Sequence, residues 1–233
     1  MRGIYMKYEI VGKPFAAVVC TLEEGQKIKC QVGGMSWMSS NMKMDTNTGG
    51  GIKKVFSRAI SGDSLFLNEY YPENGQGLIS IGSSFPGNII AVEISPENEI
   101  ICQKSSFLAA TEGVDLSIFF QKKLGAGLFG GEGFIMQKLS GNGIAFLELD
   151  GSTVEYQLGE NEEMIIDTGY LAMMSSTCSL SIKSVGGIKN TLLGGEGFFN
   201  TVVTGPGKIV LQTMPVNKLA DTLIPYIPTR SND

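Results

Sequence analysis

Six residues from Gly125 read Gly-Ala-Gly-Leu-Phe-Gly, which is the glycine spacing of a dinucleotide-binding fingerprint. That chemistry needs a helix beginning at the third glycine, so that its first amides face the pyrophosphate, and an acidic residue about 20 residues further on. Here the chain continues instead into Gly-Gly-Glu-Gly-Phe and a strand pattern. The sequence therefore favours a turn or bulge between strands, and we predict no bound cofactor.

Two acids, Glu132 and Glu196, occupy the same place in two copies of that pentapeptide. Carboxylates brought together can act as acid and base or bind Ca²⁺. No Asp-rich calcium loop accompanies them, and residues related by rotation usually point apart. We expect loop acids and predict no metal site.

Histidine is absent from the chain. Without imidazole, Ser/His/Asp and Cys/His nucleophile systems and His-based metal sites, including those of cupins, cannot be built. A carboxylate pair about 5 to 10 Å apart in a cleft would remain an alternative for an enzyme. We predict no catalytic residue and a protein that is not an enzyme.

The four cysteines form no CxxC pair and no regular framework. We interpret Cys20, Cys30, Cys102 and Cys178 as reduced, buried, small apolar residues, which favours a cytoplasmic location. The start of the chain does not resemble a secretory signal, and no stretch approaches the roughly 18 apolar residues of a membrane span. We therefore expect a soluble protein, with peripheral membrane contact as a further option.

The composition is that of a globular protein, with 42% hydrophobic and 18% charged residues. Its 31 glycines and 8 prolines indicate many tight turns. The net charge of −5 gives no global attraction to nucleic acid, so we predict nucleic acid to be an unlikely partner.

An internal repeat determines the predicted architecture. Gly-Gly-Glu-Gly-Phe begins at Gly130 and again at Gly194, each time followed by strand, tight turn and strand. A weaker copy upstream has its turn at Gly62, and the longer spacing that follows it suggests that residues 70–87 are an insertion. The predicted structural turns of the repeat are Gly62, Gly130, Gly131, Gly133, Gly141, Gly194, Gly195, Gly197 and Gly205.

Short alternating runs bounded by Gly, Asn or Ser predict strands, so the fold class is all-β. The runs are residues 89–94, 116–120, 144–149, 154–158 and 179–183. One short C-terminal helix is predicted over residues 216–223, after Pro215 and before Pro225. We predict one compact domain over 1–228 with three β-repeats, about 7–82, 83–150 and 151–223, and a frayed tail at 229–233.

A methionine-rich segment holds the single tryptophan and is the candidate interface. Soft, apolar residues of this kind make adaptable partner contacts, although core packing is the alternative and Met173–Met174 in the third repeat favours a common structural position. The candidate residues are Met35, Trp37, Met38, Met42 and Met44.

Lysines near the glycine-rich segments could form a basic stripe for RNA, with solvated surface lysines as the alternative. They are Lys53, Lys54, Lys122, Lys123, Lys183 and Lys189, with Arg58.

The repeated glycine-rich pattern, from about Tyr8 to Leu223, resembles the family named in fungi for altered inheritance of mitochondria, number twenty-four. Its first copy departs from the pattern at Ile52-Lys53-Lys54. The resemblance implies units similar to the trp RNA-binding attenuation protein, of the double-stranded β-helix type, with three units in one chain and nine in a homotrimer. It also implies a scaffolding role, because mitochondrial members are associated with inner-membrane organisation. The tryptophan and RNA sites of the attenuation protein match no residues here.

From these observations we predict a non-enzymatic, homo-oligomeric β-scaffold, with a trimer favoured and an additional protein partner of unknown identity. A module that binds RNA or a small ligand on a ring-like assembly is the alternative function.

Overall fold

The computed structural model describes residues 6–45, 67–122, 133–184 and 199–227. These residues form antiparallel β-strands followed by one α-helix, which confirms the predicted all-β class and the predicted C-terminal helix. The strands are β1 Lys7–Val11, β2 Ala17–Leu22, β3 Ile28–Gln31, β4 Met35–Met38, β5 Met42–Asp45, β6 Leu67–Pro72, β7 Gly77–Gly82, β8 Gly87–Ile94, β9 Ile100–Gln103, β10 Phe107–Thr111, β11 Val114–Lys122, β12 Phe134–Gly141, β13 Gly143–Asp150, β14 Thr153–Leu158, β15 Glu163–Asp167, β16 Leu171–Ser175, β17 Ser179–Ser184, β18 Phe199–Thr204 and β19 Gly207–Gln212. The helix is α1, Val216–Leu223, and 3₁₀ turns lie at Lys104–Ser106, Thr168–Tyr170 and Ile224–Tyr226.

After β1, one pairing pattern occurs three times. In each group of six strands, the first and third pair with the sixth, and the second and fourth pair with the fifth. We call these groups unit 1 (β2 to β7), unit 2 (β8 to β13) and unit 3 (β14 to β19). The third strand of each unit is also irregular at the same place, between Met35 and Trp37, between Phe107 and Ala109, and between Leu171 and Met173.

Successive units are joined by a strand pair that we call a joint. The second strand of unit 1, β3, pairs with the third strand of unit 2, β10, and β9 of unit 2 pairs with β16 of unit 3 in the same way. Cys30 lies opposite Ala109 in the first joint, and Cys102 lies opposite Met173 in the second. Each joint fuses strands of two units into a six-stranded sheet.

The interpretation of residues 70–87 as an insertion is wrong. These residues contain the end of β6, a turn, and β7, which is the sixth strand of unit 1. Asn74 and Gly75 form the turn with φ of 60° and 103°, a left-handed conformation that asparagine and glycine tolerate best. The match of Gly62 to Gly141 misplaced this turn, because the β6–β7 turn is the counterpart of the β12–β13 turn.

The predicted turn glycines are only partly within the described residues. Gly133 and Gly141 have left-handed φ angles, and Gly205 lies between β18 and β19, where a Cβ would come within 2.4 Å of a backbone oxygen. The remaining predicted turn glycines lie outside the described residues: Gly62, Gly130, Gly131, Gly194, Gly195 and Gly197.

The core follows from the alternation of the strands, because successive side chains point to opposite faces. In β2, for example, Val18, Cys20 and Leu22 are buried in one apolar cluster. Two further clusters contain residues on both sides of the second joint, such as Cys102 with Met173, and Ile101 with Met174. The joints are therefore parts of the hydrophobic core rather than loose contacts between units.

Candidate functional site

Two strands lack the joint partner that their counterparts have. They are β4, the third strand of unit 1, and β15, the second strand of unit 3. Within the described residues β4 pairs only with β7, and β15 pairs only with β18. Their counterparts β10, β16, β3 and β9 are paired along both edges. The first and the last unit therefore each contain one joint strand with an unpaired edge. We call each of these strands, β4 and β15, a half-joint.

The unpaired edge of β4 exposes large apolar side chains. Trp37 is 51% exposed and Met38 is 38% exposed. In unit 3 the same two positions are Met173 and Met174, which are buried against β9. Trp37 and Met38 are thus large apolar residues like those buried at the second joint, but β4 has no strand equivalent to β9 beside it in the described residues.

The unpaired edge of β15 has the same property. Ile165 is 65% exposed, whereas Ile101, at the same position of β9, is 1% exposed. The equivalence follows from the pairing with the fifth strands, in which Ile165 lies opposite Val202 and Ile101 opposite Lys138. Unpaired backbone with apolar side chains is a template for strand addition.

The structure exposes some residues of the methionine-rich segment predicted as an interface and packs others against the core. Trp37, Met38 and Met44 are exposed, the first two on β4 and the third on β5. Met35 is half-buried and packs against the first core cluster. Met42 is only 3% exposed and belongs to that core, so core packing describes this residue.

Sequence reasoning missed Ile165. A signal was present, since the segments Ile28-Lys29-Cys30, Ile100-Ile101-Cys102 and Met164-Ile165-Ile166 align as the second strands of the three units. The alignment shows equivalent positions but does not show that the third of these strands lacks a partner. That fact appears only in the sheet order.

The dinucleotide-like glycine segment Gly125–Gly130 and the acids Glu132 and Glu196 lie outside the described residues. The strands on either side of the glycine segment, β11 and β12, pair with each other in antiparallel register. A dinucleotide-binding fingerprint connects a strand to a helix that crosses to a parallel strand. The flanking topology is therefore that of a β-hairpin.

Two carboxylates lie on β13, the buried Glu148 and the half-buried Asp150. Burial raises the pKa of both carboxyl groups. Glu148 accepts hydrogen bonds from the backbone N–H of Ser84 at 2.6 Å and from the hydroxyls of Ser83 and Ser84. Asp150 accepts from the backbone N–H of Val216 at 2.8 Å. One oxygen of each carboxylate, Oε2 of Glu148 and Oδ2 of Asp150, is thus engaged by the chain itself.

The cysteines are buried and free. Burial raises the pKa of the Cys20, Cys30 and Cys102 thiols to about 12. Such thiols carry almost no thiolate at neutral pH, and the thiolate is the reactive species. Their positions in the core clusters agree with the interpretation as packing residues.

The predicted basic stripe is represented in the described residues by Lys122 and Lys183. Lys122 lies over the ring of Phe199 at 5.7 Å, and Lys183 is 3.9 Å from Glu163. Both are thus engaged with their own chain. The other predicted stripe residues lie outside the described residues: Lys53, Lys54, Arg58, Lys123 and Lys189.

A cavity of about 360 Å³ lies near the first joint, lined in part by Met6, Lys27 and Ile144. The Lys27 ammonium is paired with Glu69 at 3.3 Å. In the described ranges, no group of three or more acidic or cysteine residues has a metal-binding arrangement. No helix in those ranges is both long and apolar enough to cross a bilayer.

These features define a class of all-β protein in which three units of one topology occupy a single chain and half-joints remain at both ends. The chain belongs to the mitochondrial biogenesis AIM24 family, whose family model matches residues 8–214. It is 29% identical to an uncharacterized protein of Streptococcus pyogenes serotype M6 over 227 residues, which are 94% of this chain and 89% of the relative.

A structural genomics crystal structure of a Streptococcus pyogenes protein is similar, with a TM-score of 0.79 and 25% identity. The alignment covers 95% of this chain and 100% of the crystallised chain.

Proposed function

We propose that this protein is a self-assembling β-scaffold, in which β15 of one chain pairs with β4 of the next. One observation carries the proposal: the two unpaired strands are of complementary kinds, so that β15 of one chain can pair with β4 of another as the strands of the internal joints do. β15 is a second strand without its third-strand partner, and β4 is a third strand without its second-strand partner.

The two joints within the chain give the register for the joint between chains. Lys29 lies opposite Ala110 in the first joint, and Ile101 lies opposite Met174 in the second. The equivalent positions at the two ends are Ile165 and Met38. By the same rule, Ile166 lies opposite Trp37.

This register matches the chemistry of the exposed residues. It places Ile165 against Met38, and both side chains leave water when the strands pair. Full burial of such a side chain contributes about 1.5 to 3 kcal/mol, and the new ladder also pairs backbone groups that face solvent in the single chain. These gains offset the loss of translational and rotational freedom on association.

A contact between two different edges is heterologous, and repeated heterologous contacts close into a ring when the rotation permits. Each chain contributes three units, so three chains would place nine units in one ring. This arrangement is the trimer that we favour from the sequence. The outer surface of such a scaffold would remain available to a further protein partner.

The proposal is tested by measuring the mass of the unmodified chain in solution by light scattering, with absorbance at 260 nm recorded across the peak. We expect a particle of three times the 25.0 kDa chain mass, without excess absorbance at 260 nm. A 25.0 kDa particle at micromolar concentration would show that the edges do not pair. Excess absorbance removed by salt would favour the RNA-binding alternative instead.

A further inference from the structure

The C-terminal helix presents its apolar side to solvent. In α1 and the turn after it, apolar residues recur at intervals of three and four, which places them on one helical face. Among them Val216, Leu223 and Ile224 are each about half exposed or more, and no residue of α1 is buried. Tyr226 and Ile227 extend the exposed apolar surface beyond the helix.

The polar side of α1 is the side that is attached to the chain. The Lys218 ammonium is 2.7 Å from a carboxylate oxygen of Asp167, the last residue of β15. The backbone N–H of Val216 donates to Asp150, and Asn217 lies against Gly169. A helix that packs on its own core shows the opposite arrangement, with the apolar face inward. The apolar face of α1 is therefore suited to a surface outside this chain.

The attachment point lies at one end of a half-joint. Since Asp167 ends β15, α1 sits beside the edge at which β4 of the next chain is proposed to add. The first joint shows what lies beyond that end. In the first joint, the Gln31 side-chain amide donates to the backbone oxygens of Lys104 and Phe107, which flank the turn between β9 and β10.

The residue equivalent to Gln31 in unit 3 is Asp167, and the positions equivalent to Lys104 and Phe107 in unit 1 are Val32 and Met35. The β3–β4 turn of the next chain thus meets Asp167 and the adjoining helix. A carboxylate cannot donate to the backbone oxygens there, as the Gln31 amide does. The Lys218 ammonium, held on Asp167, has hydrogens to do so.

Val32 supplies the matching apolar surface. It is a valine in the β3–β4 turn and is 62% exposed. The equivalent residue in unit 2 is the charged Lys104, in the turn that Gln31 contacts at the first joint. An exposed valine at this position is consistent with a turn that another surface covers.

We propose that α1 is a clasp, whose apolar face packs over the β3–β4 turn of the next chain, around Val32. This inference rests on the proposed pairing of β15 with β4, and adds a second contact to the same interface. The clasp extends the joint beyond the strand ladder and gives the C-terminal segment a role in assembly.

The charge of the segment supports a second copy of this chain as the occupant. Helices that lie on membranes carry several Lys or Arg residues on their polar face. Residues 216–227 contain one basic residue, Lys218, which is paired with Asp167, and one acidic residue, Asp221. The segment therefore lacks the cationic face that an anionic membrane would attract.

The test compares the association constant of the unmodified chain with that of the double variant Leu223→Asp/Ile224→Asp, by sedimentation equilibrium. Both side chains are exposed in the single chain, so the fold should be unaffected. We expect association to weaken at least tenfold, with the joint still forming at high concentration. Thr222→Asp, on the polar face of α1, is the matched control and should associate normally. An unchanged association constant for the double variant would overturn the clasp.

A second readout locates the contact. Chains carrying Val32→Cys are mixed with chains carrying Leu223→Cys and treated with a short bismaleimide. The native cysteines are buried, so labelling should be confined to the new thiols. We expect a cross-linked dimer in the mixture. If the unmodified chain is an oligomer but the mixture yields no cross-link, the clasp is wrong and the joint stands. If the unmodified chain is a monomer, the proposed function itself fails.

Discussion

Ile165→Lys is expected to convert the assembly into single chains while leaving each chain folded. Ile165 is 65% exposed in the single chain, so a lysine there remains solvated. In the proposed joint the same position is covered by Met38 of the next chain. In the first joint the equivalent residue is Lys29, which lies opposite the small Ala110 and donates to the Val114 carbonyl oxygen. Opposite the larger Met38, a lysine removes an apolar contact of about 1.5 to 3 kcal/mol, which corresponds to a loss of association of at least ~10-fold.

The measurement is solution mass as a function of concentration, with thermal unfolding of the diluted, dissociated chains recorded in parallel. Val154→Lys is the matched control, because Val154 is an exposed β-branched residue on the edge strand β14. The counterpart of β14 in unit 2, β8, is also an edge strand and takes no part in a joint. It should assemble normally. The double variant Met38→Glu/Ile165→Lys places opposite charges across every joint and should recover part of the lost association. Normal assembly of Ile165→Lys would place the interface elsewhere.

A lysine substitution should lower the stability of the folded chain at Met174, but at the equivalent Met38 it should only prevent assembly. Met174 and Met38 occupy one position in the third strands of units 3 and 1. Met174 is fully buried at the second joint, opposite Ile101, whereas Met38 is 38% exposed. We expect Met174→Lys to destabilise the folded chain by about 3 to 5 kcal/mol, because it buries an unpaired ammonium in the core. Met38→Lys should leave the single chain folded and remove assembly.

Denaturant unfolding, at a concentration where the parent chain is dissociated, separates the two effects. Met174→Lys is expected to unfold at much lower denaturant or to be insoluble, and Met38→Lys to unfold with the parent. Met174→Leu, which keeps an apolar side chain of similar volume, is the control for position and should cost below about 1.5 kcal/mol. Equal destabilisation by both lysine substitutions would show that Met38 already lies in a closed joint within one chain.

The all-β class and the C-terminal helix could be predicted because both depend on local signals. Alternating apolar residues between glycine-rich turns specify strands, and Pro215 and Pro225 bound a segment with helical spacing. The correspondence between Met173–Met174 and the Trp37 region was also visible in the sequence. The structure places these residues at equivalent positions.

Other features depend on which strands meet in space. The local resemblance of the Gly62 segment to the later turns predicts the turn of unit 1 there, whereas the strand order assigns this role to Asn74 and Gly75. Met42 and Met44 look alike in sequence and, being two residues apart, lie on the same face of β5, yet Met42 is buried in the core and Met44 is exposed. Ile165 stands out because β15 has one neighbouring strand in the described residues where β3 and β9 have two, and strand pairing of this kind cannot be read from the sequence.

A cross-link between the two free edges tests the central claim most directly. Chains carrying Met38→Cys are mixed with chains carrying Ile165→Cys under mild oxidation, because residues directly opposite in an antiparallel pair have Cβ atoms about 4.5 to 5.5 Å apart, near disulfide geometry. Pairing of β15 with β4 between chains predicts a mixed disulfide dimer, with little product from either variant alone. Oligomers that form without this disulfide, or a chain bearing both substitutions that closes only within itself, would contradict the account.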